Sequence, residues 1–228
     1  MRRAGPDLVR RVVAEAIGTG LLIVAVVGSG IMASRLSPHD VGLQLLENAV
    51  ATAGALVGLI LTFGSVSGAH FNPVVTVVDR LSGLLPTRDA VAYIAAQIVG
   101  GCAGAVLTNL MFELDAVSVS MKDRSSVALW LSEVVATVGL LLVINGCVRG
   151  GRGSAVPFAV GAWIGGAYWF TSSTSFANPA VTVARTLSDT FAGIAPTSAP
   201  MFVVAQGIGC VLAALLVRFF FPRPEATS

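Results

Sequence analysis

The sequence predicts an all-α membrane protein, with six transmembrane helices and two re-entrant half-helices arranged as an inverted repeat. Three observations lead there. Of the 228 residues, 55% are hydrophobic and only 11% are charged. Apolar runs of about twenty residues recur, the length that crosses about 30 Å of hydrocarbon. A short phrase also occurs twice, as Ser67-Gly68-Ala69-His70-Phe71-Asn72-Pro73-Val74-Val75-Thr76-Val77-Val78-Asp79 and as Ser175-Phe176-Ala177-Asn178-Pro179-Ala180-Val181-Thr182-Val183-Ala184-Arg185. Asn is a favoured N-cap and Pro is preorganised for the first helical position, so each copy is a loop that turns abruptly into a helix.

One domain is expected over residues 1–228, with a first repeat at about 8–112 and a second at about 127–221. Arg2, Arg3, Arg10 and Arg11 precede an apolar run from Val12 to Met32. That run exceeds the about 7–15 residues of a signal-peptide core and contains Glu15, so it is the first span. The loop Ser34 to Asp40 leads to a second span, about Leu43 to Phe63. The first Asn-Pro phrase then opens a helix that Pro86 and Arg88-Asp89 confine to about Gly83 or Leu84. About twelve residues at about 1.5 Å each cover half a bilayer. The third span runs from about Ala90 to Phe112, and Glu113 to Ser126 is the longest polar connection. A fourth span, Val127 to Val148, meets the basic turn Arg149-Gly150-Gly151-Arg152, and the fifth covers roughly Ala155 to Phe170. The second phrase starts a half-helix to about Asp189, and the sixth span is Met201 to Phe221.

The halves match beyond the two phrases. Glu15 and Glu133 stand early in spans one and four, each with a Thr four residues on, and Ala96-Gln97 pairs with Ala205-Gln206. Three spans per half is odd, so the halves insert in opposite senses and bring the interrupted helices together at the midplane. With the N-terminus inside, ten arginines flank the cytoplasmic side (Arg2, Arg3, Arg10, Arg11, Arg80, Arg88, Arg149, Arg152, Arg218, Arg223). Four basic residues, Arg35, Lys122, Arg124 and Arg185, face outward, so both termini are expected in the cytoplasm. A net charge of +2 carries no nucleic-acid signal. Cys102, Cys147 and Cys210 lie in apolar runs without CxxC spacing and read as small buried hydrophobes, not metal ligands.

Two half-helices meeting by their N-termini place two positive dipole ends at the bilayer centre. Asn72 and Asn178 can present amide donors there, while Gly68-Ala69-His70 and Ser173-Thr174-Ser175, expected to be extended, would offer a ladder of carbonyl acceptors. Non-helical backbone at that depth is tolerated where it lines a polar cavity or is buried in protein. A donor pair between acceptor ladders orients neutral hydroxylated solutes, and the positive centre opposes protons and cations. Glu15 and Glu133 are expected to hold the re-entrant loops. His70 reads as a structural hydrogen-bonding group, Asp79 as a partner for a nearby Arg, and Trp163, Tyr168 and Trp169 as packing residues.

These residues resemble the major intrinsic proteins, the aquaporins and aquaglyceroporins, over nearly the whole chain. The twin motifs Asn72-Pro73-Val74 and Asn178-Pro179-Ala180 carry the likeness, with Val74 where Ala is usual. The resemblance implies an aquaporin-like right-handed bundle with a pore in every protomer, assembled as a homotetramer in a lipid bilayer. It implies passage of small neutral solutes in single file, without cofactor or metal. In this family four positions form the outer constriction, and they fall on Thr52, Gly166, Ser175 and Val181. Most members have Arg where this chain has Val181, which leaves a wider and electrically milder opening. The combination resembles the arsenic-associated bacterial branch, which implies a plasma-membrane channel for trivalent arsenic hydroxide and methylated arsenicals, with glycerol and water. An ordinary glycerol or water pore is the alternative. Arg185, four residues after Val181, either supplies the missing charge at the outer vestibule or forms an i,i+4 surface pair with Asp189, the commoner use of that spacing.

A proton-coupled transporter could share the repeat, with Glu15 or Glu133 as carrier. An enzyme finds no support, since no His/Cys/Asp cluster, phosphate loop or nucleophile–base pair stands in the polar segments.

Overall fold

Asp7 caps the first helix, α1 (Leu8–Leu36), by accepting from the Arg10 N–H at 2.9 Å, and Asp40 caps α2 (Val41–Ser67) through the Leu43 N–H at 2.9 Å. Gly68 ends α2 in the left-handed region, φ 90°, a conformation that glycine adopts freely. The half-helix α3 (Pro73–Leu81), the span α4 (Thr87–Met111) and the long connection follow. The second half consists of α5 (Val127–Arg149), α6 (Val156–Phe170), the half-helix α7 (Pro179–Ala184) and α8 (Ala199–Phe220). This computed structural model describes residues 7–222; Arg2, Arg3 and Arg223, counted above among the basic flanks, lie outside them.

Helices α1, α2, α4, α5 and α8 are long and apolar enough to cross a membrane. Helix α6 is shorter, 15 residues or about 22 Å. The 3-10 turn Gly153–Ala155 that leads into it adds about 6 Å, so the pair still nears a bilayer's depth. The second half-helix stops at Ala184, sooner than its sequence suggests, and continues as a 3-10 turn to Leu187, leaving Asp189 in the following loop.

The halves repeat in packing as well as in order: α4 lies on α1 as α8 lies on α5. Close backbone approach makes this possible. A Cβ on Gly100 would overlap the Ala16 carbonyl, and one on Gly104 the Gly20 carbonyl. On α8, a Cβ at Gly209 would come within 2.8 Å of the Thr137 Cβ and 2.9 Å of the Val134 oxygen. Small residues four apart let membrane helices come together where hydrophobic burial supplies little drive. The halves join where α2 crosses α6, with Gly161 set against Ala53 and Val57.

Arginine contacts mark the two ends of the bundle. At one end Arg11 of α1 meets Asp89 of α4 at 2.6 Å, and Arg149 of α5 donates to the Phe221 carbonyl after α8. At the other, Arg35 donates to the Phe112 carbonyl at 2.7 Å. Half-helix α3 enters from the first end and α7 from the second. Of the cysteines only Cys210 is buried; Cys102 and Cys147 are half-buried, a correction to the expectation for all three.

Candidate pore and its constrictions

The site begins with the two motif asparagines. Asn72 caps α3, its Oδ1 accepting from the Val74 N–H at 3.0 Å, and its Nδ2 donates across to the Ala177 carbonyl at 2.8 Å. Asn178 caps α7 through the Ala180 and Val181 N–H groups and returns the cross-bond, donating to the Phe71 carbonyl at 2.8 Å. Each amide nitrogen carries two hydrogens. One closes the cross-bond, and both side chains line the same cavity.

Behind each loop sits a buried glutamate. Glu15 accepts from Ser67 Oγ (2.6 Å), His70 N (3.0 Å), Phe71 N (2.7 Å) and Gln97 Nε2 (2.8 Å). Glu133 accepts from Ser173 Oγ (2.6 Å), Phe176 N (2.9 Å), Ala177 N (2.8 Å) and Gln206 Nε2 (2.7 Å). These bonds hold a backbone that is not extended, contrary to the sequence expectation. Gly68, Ala69 and Phe71 in one loop, and Thr174, Ser175 and Ala177 in the other, have positive φ. Left-handed non-glycine residues cost about 1 kcal/mol or more each and persist where their surroundings hold them. The glutamates and the Ser67 and Ser173 hydroxyls take up the N–H groups. Among the described residues no protein donor reaches the carbonyls of Gly68, Ala69, His70, Thr174, Ser175 or Phe176.

A cavity of about 610 Å³ passes these tips. Its lining extends from Arg185 and Ser175 at one end, past Asn72 and Asn178, to Asp79, Arg149 and Pro222 at the other. The remaining wall is apolar, built from Leu22, Val26, Leu56, Ile60, Leu140 and Ile144. Gly68, Ala69 and His70 line it, whereas Ser173 is fully buried against Glu133 and Thr174 is half-buried, neither in the lining. Val74 and Ala180 are buried away from it; Val74 packs with Val78, Leu141 and Cys210, so its methyls do not narrow the passage. Pro73 and Pro179 begin their helices as read.

Three of the four residues assigned to the outer constriction, Thr52, Ser175 and Val181, line the cavity. Gly166 does not. The lining face of α6 is Val156, Val160, Ile164 and Tyr168, and Gly166, two residues from the last two, projects about 200° around the helix onto an exposed face. Packing of Gly161 and Gly165 on α2 sets that phase. Tyr168 lines the cavity instead, its hydroxyl 3.2 Å from Thr52 Oγ1. The i,i+4 stripe ending in Tyr168 was the signal available in the sequence.

Arg185 lines the cavity and is only 2% exposed. Its Nε donates to the Ala192 carbonyl, and its guanidinium carbon lies 3.4 Å from the Phe176 ring centroid. The surface pair with Asp189 does not form; Asp189 instead accepts from the Met121 N–H at 3.0 Å. Arg124, also buried, lies 5.1 Å from the same ring and donates to the Gly193 and Ser173 carbonyls. Burial pushes Arg124 down to about 10. Lys122 is pushed down to about 8, first by burial and then by the fields of Arg124 and Arg185. At the opposite mouth Asp79 pairs with His70 Nε2 at 3.0 Å, not with an arginine, and His70 Nδ1 lies 3.0 Å from Thr76 Oγ1.

Opposed half-helices, a glutamate behind each loop and a cavity inside the single chain define a membrane channel with its own pore. The family profile described as Major intrinsic protein matches residues 3–174 and 151–228. The chain is 53% identical over 213 residues to Aquaglyceroporin AqpS of Rhizobium meliloti (strain 1021), covering 93% of this chain and 91% of that one. It is 30% identical over 227 residues to Aquaporin Z of Rhodopseudomonas palustris, covering 92% and 93%. The fold is similar to that of the aquaglyceroporin from Plasmodium falciparum, with a TM-score of 0.73 at 21% identity over 95% of this chain and 96% of that one. The chain belongs to the major intrinsic protein family, an integral membrane channel for water and small neutral solutes and not an enzyme.

Proposed function

We propose that the channel passes small neutral hydroxylated solutes wider than water, trivalent arsenic hydroxide foremost, with methylated arsenicals, glycerol and water. Thr52, Ser175, Val181 and Tyr168 form its outer filter in this reading, with Tyr168 in the place first given to Gly166. The observation that carries it is Val181, a buried cavity-lining isopropyl group at the position where the family resemblance implies a guanidinium. It contributes neither length nor donors, so the aperture at that level is wider. A polar track of unbonded carbonyls opposite an apolar wall suits a molecule with hydroxyls on one side. A general glycerol and water facilitator is the second reading, favoured by the aquaglyceroporin name of the 53% identical relative. A proton-coupled transporter loses support, because every carboxylate oxygen of Glu15 and Glu133 already accepts two hydrogen bonds. The assembly is a homotetramer in the bacterial plasma membrane with both termini in the cytoplasm, a reading supported by the charge bias and the family.

The test is stopped-flow light scattering and solute uptake in proteoliposomes, with water, glycerol and arsenous acid compared between the native chain and Val181→Arg. The larger solutes should slow about tenfold, or about 1.4 kcal/mol of added barrier, and water by much less. Equal slowing of all three would remove Val181 from the filter.

A further inference from the structure

A second, smaller pocket of about 350 Å³ lies at the end of the bundle from which α3 enters, lined by Leu81, Ser82, Arg149, Arg218, Phe221 and Pro222. The ends of α3, α5 and α8 supply its wall, so both halves of the repeat contribute. Ser82, Arg149 and Pro222 also line the main cavity, which sets the pocket against the inner mouth. The described acids near this end are already paired: Asp7 with Arg10, Asp89 with Arg11 and Asp79 with His70. Among the described residues no carboxylate lies within 4.0 Å of Arg149 or Arg218. Arg149 spends one Nη on the Phe221 carbonyl; among the described residues no acceptor bonds the rest of its guanidinium, or any part of that of Arg218.

Two guanidiniums that border one recess repel each other until an anion comes between them. Their planar forks match the oxygens of a phosphate, which accepts parallel N–H bonds. The surroundings are apolar as well. Leu81 in the wall is 53% exposed, and the Phe220 ring, 58% exposed, stands 6.4 Å from that of Phe221. Arg218 and these rings close α8, which is long and apolar enough to cross a membrane, so the pocket lies at the depth where headgroups meet hydrocarbon. We propose that Arg149 and Arg218 hold a phosphate group, and that its carrier is an anionic phospholipid whose acyl chains run along the exposed Phe219, Phe220 and Leu81. The lipid ties the ends of α3, α5 and α8 together and backs the Arg149 clasp on the Phe221 carbonyl at the edge of the main cavity. A zwitterionic lipid fits less well, because its ammonium would stand beside two guanidiniums. The site does not depend on which solute the channel passes.

The experiment takes the delipidated full chain in detergent and follows the midpoint of heat-induced aggregation during titration with dioctanoyl phosphatidylglycerol, dioctanoyl phosphatidylcholine or inorganic phosphate. A ligand that binds only the folded protein raises the midpoint as it fills its site. The native chain should respond to the glycerol lipid at about tenfold lower concentration than to the choline lipid, whose ammonium is repelled. Inorganic phosphate, with no tails to bury, should do nothing over the same range. Arg218→Gln and Arg149→Gln should each raise the phosphatidylglycerol concentration required about tenfold, the loss of charge-assisted bonds. Arg218 is exposed and its side chain bonds nothing among the described residues, so its variant keeps the test available should Arg149→Gln fail to fold. Arg88→Gln removes the same charge from an exposed position at the same end but outside the pocket, and should leave the response unchanged. Equal weakening by Arg88→Gln and Arg218→Gln would overturn the site in favour of general surface charge. Equal responses to the two lipids would overturn its preference for an anion. An equal response to inorganic phosphate, lost in Arg218→Gln, would overturn the lipid as carrier.

Discussion

Glu133 accepts four hydrogen bonds, two on each oxygen, from a serine, two backbone N–H groups and a glutamine. Whichever oxygen an amide nitrogen replaced, two donors would lose their acceptor. Glu133→Gln should therefore destabilise the fold by about 3 kcal/mol or more, the scale of two charge-assisted bonds. A lowered midpoint of heat-induced aggregation in detergent, with reduced solute flux, is the expected result; a native-like midpoint would remove the glutamate's part in holding the loop. The Asn motifs and both glutamates were legible because each is written twice, and duplication at matching positions marks residues with a shared geometric task. Arg185 was less legible. Its i,i+4 relation to Asp189 assumes a helix that continues, yet α7 tightens after Ala184 and turns the guanidinium under Phe176. Asp79 was misread for a similar reason, since its partner His70 lies nine residues back, ahead of α3 and between left-handed Ala69 and Phe71, a course no spacing rule supplies.

Helix existence and order followed directly from apolar run length, whereas helix rotation did not. The family resemblance assigned Gly166 to the outer constriction, but α6 takes its phase from Gly161 and Gly165 on α2. The stripe Val156, Val160, Ile164, Tyr168 carried the correct phase. At the α1–α4 crossing a Cβ on Gly104 would meet backbone, the carbonyl of Gly20, and not the movable end of a side chain. Gly104→Val should accordingly destabilise by about 2 kcal/mol despite a gain in apolar surface. Gly58→Ala, where a Cβ meets nothing within 4 Å, should stabilise α2 by about 0.5 kcal/mol. Comparing thermal midpoints of the two variants checks this; a similar shift for both would mean the crossing tolerates separation.

At the scale of the molecule, the bundle is covered unevenly. The most apolar window of α2 is 11% buried and that of α5 28%, against 61% for α1. Such faces belong against lipid or neighbouring protomers. If neighbours cover them, light scattering of detergent-purified protein should return a protein mass about four times 23.3 kDa, the tetramer expected above. A protein mass of one chain would leave those faces to lipid alone. The reciprocal bonds from Asn72 to the Ala177 carbonyl and from Asn178 to the Phe71 carbonyl have a consequence in time. Glu15, Ser67 and Gln97 all precede the second half, so the first loop can be cradled as soon as its own repeat emerges from the ribosome. Its amide must then wait for more than a hundred further residues to be made and inserted before its acceptor exists. Until then the nascent first half presents an unmatched donor inside the membrane, which the Ala177 carbonyl of the second loop takes up.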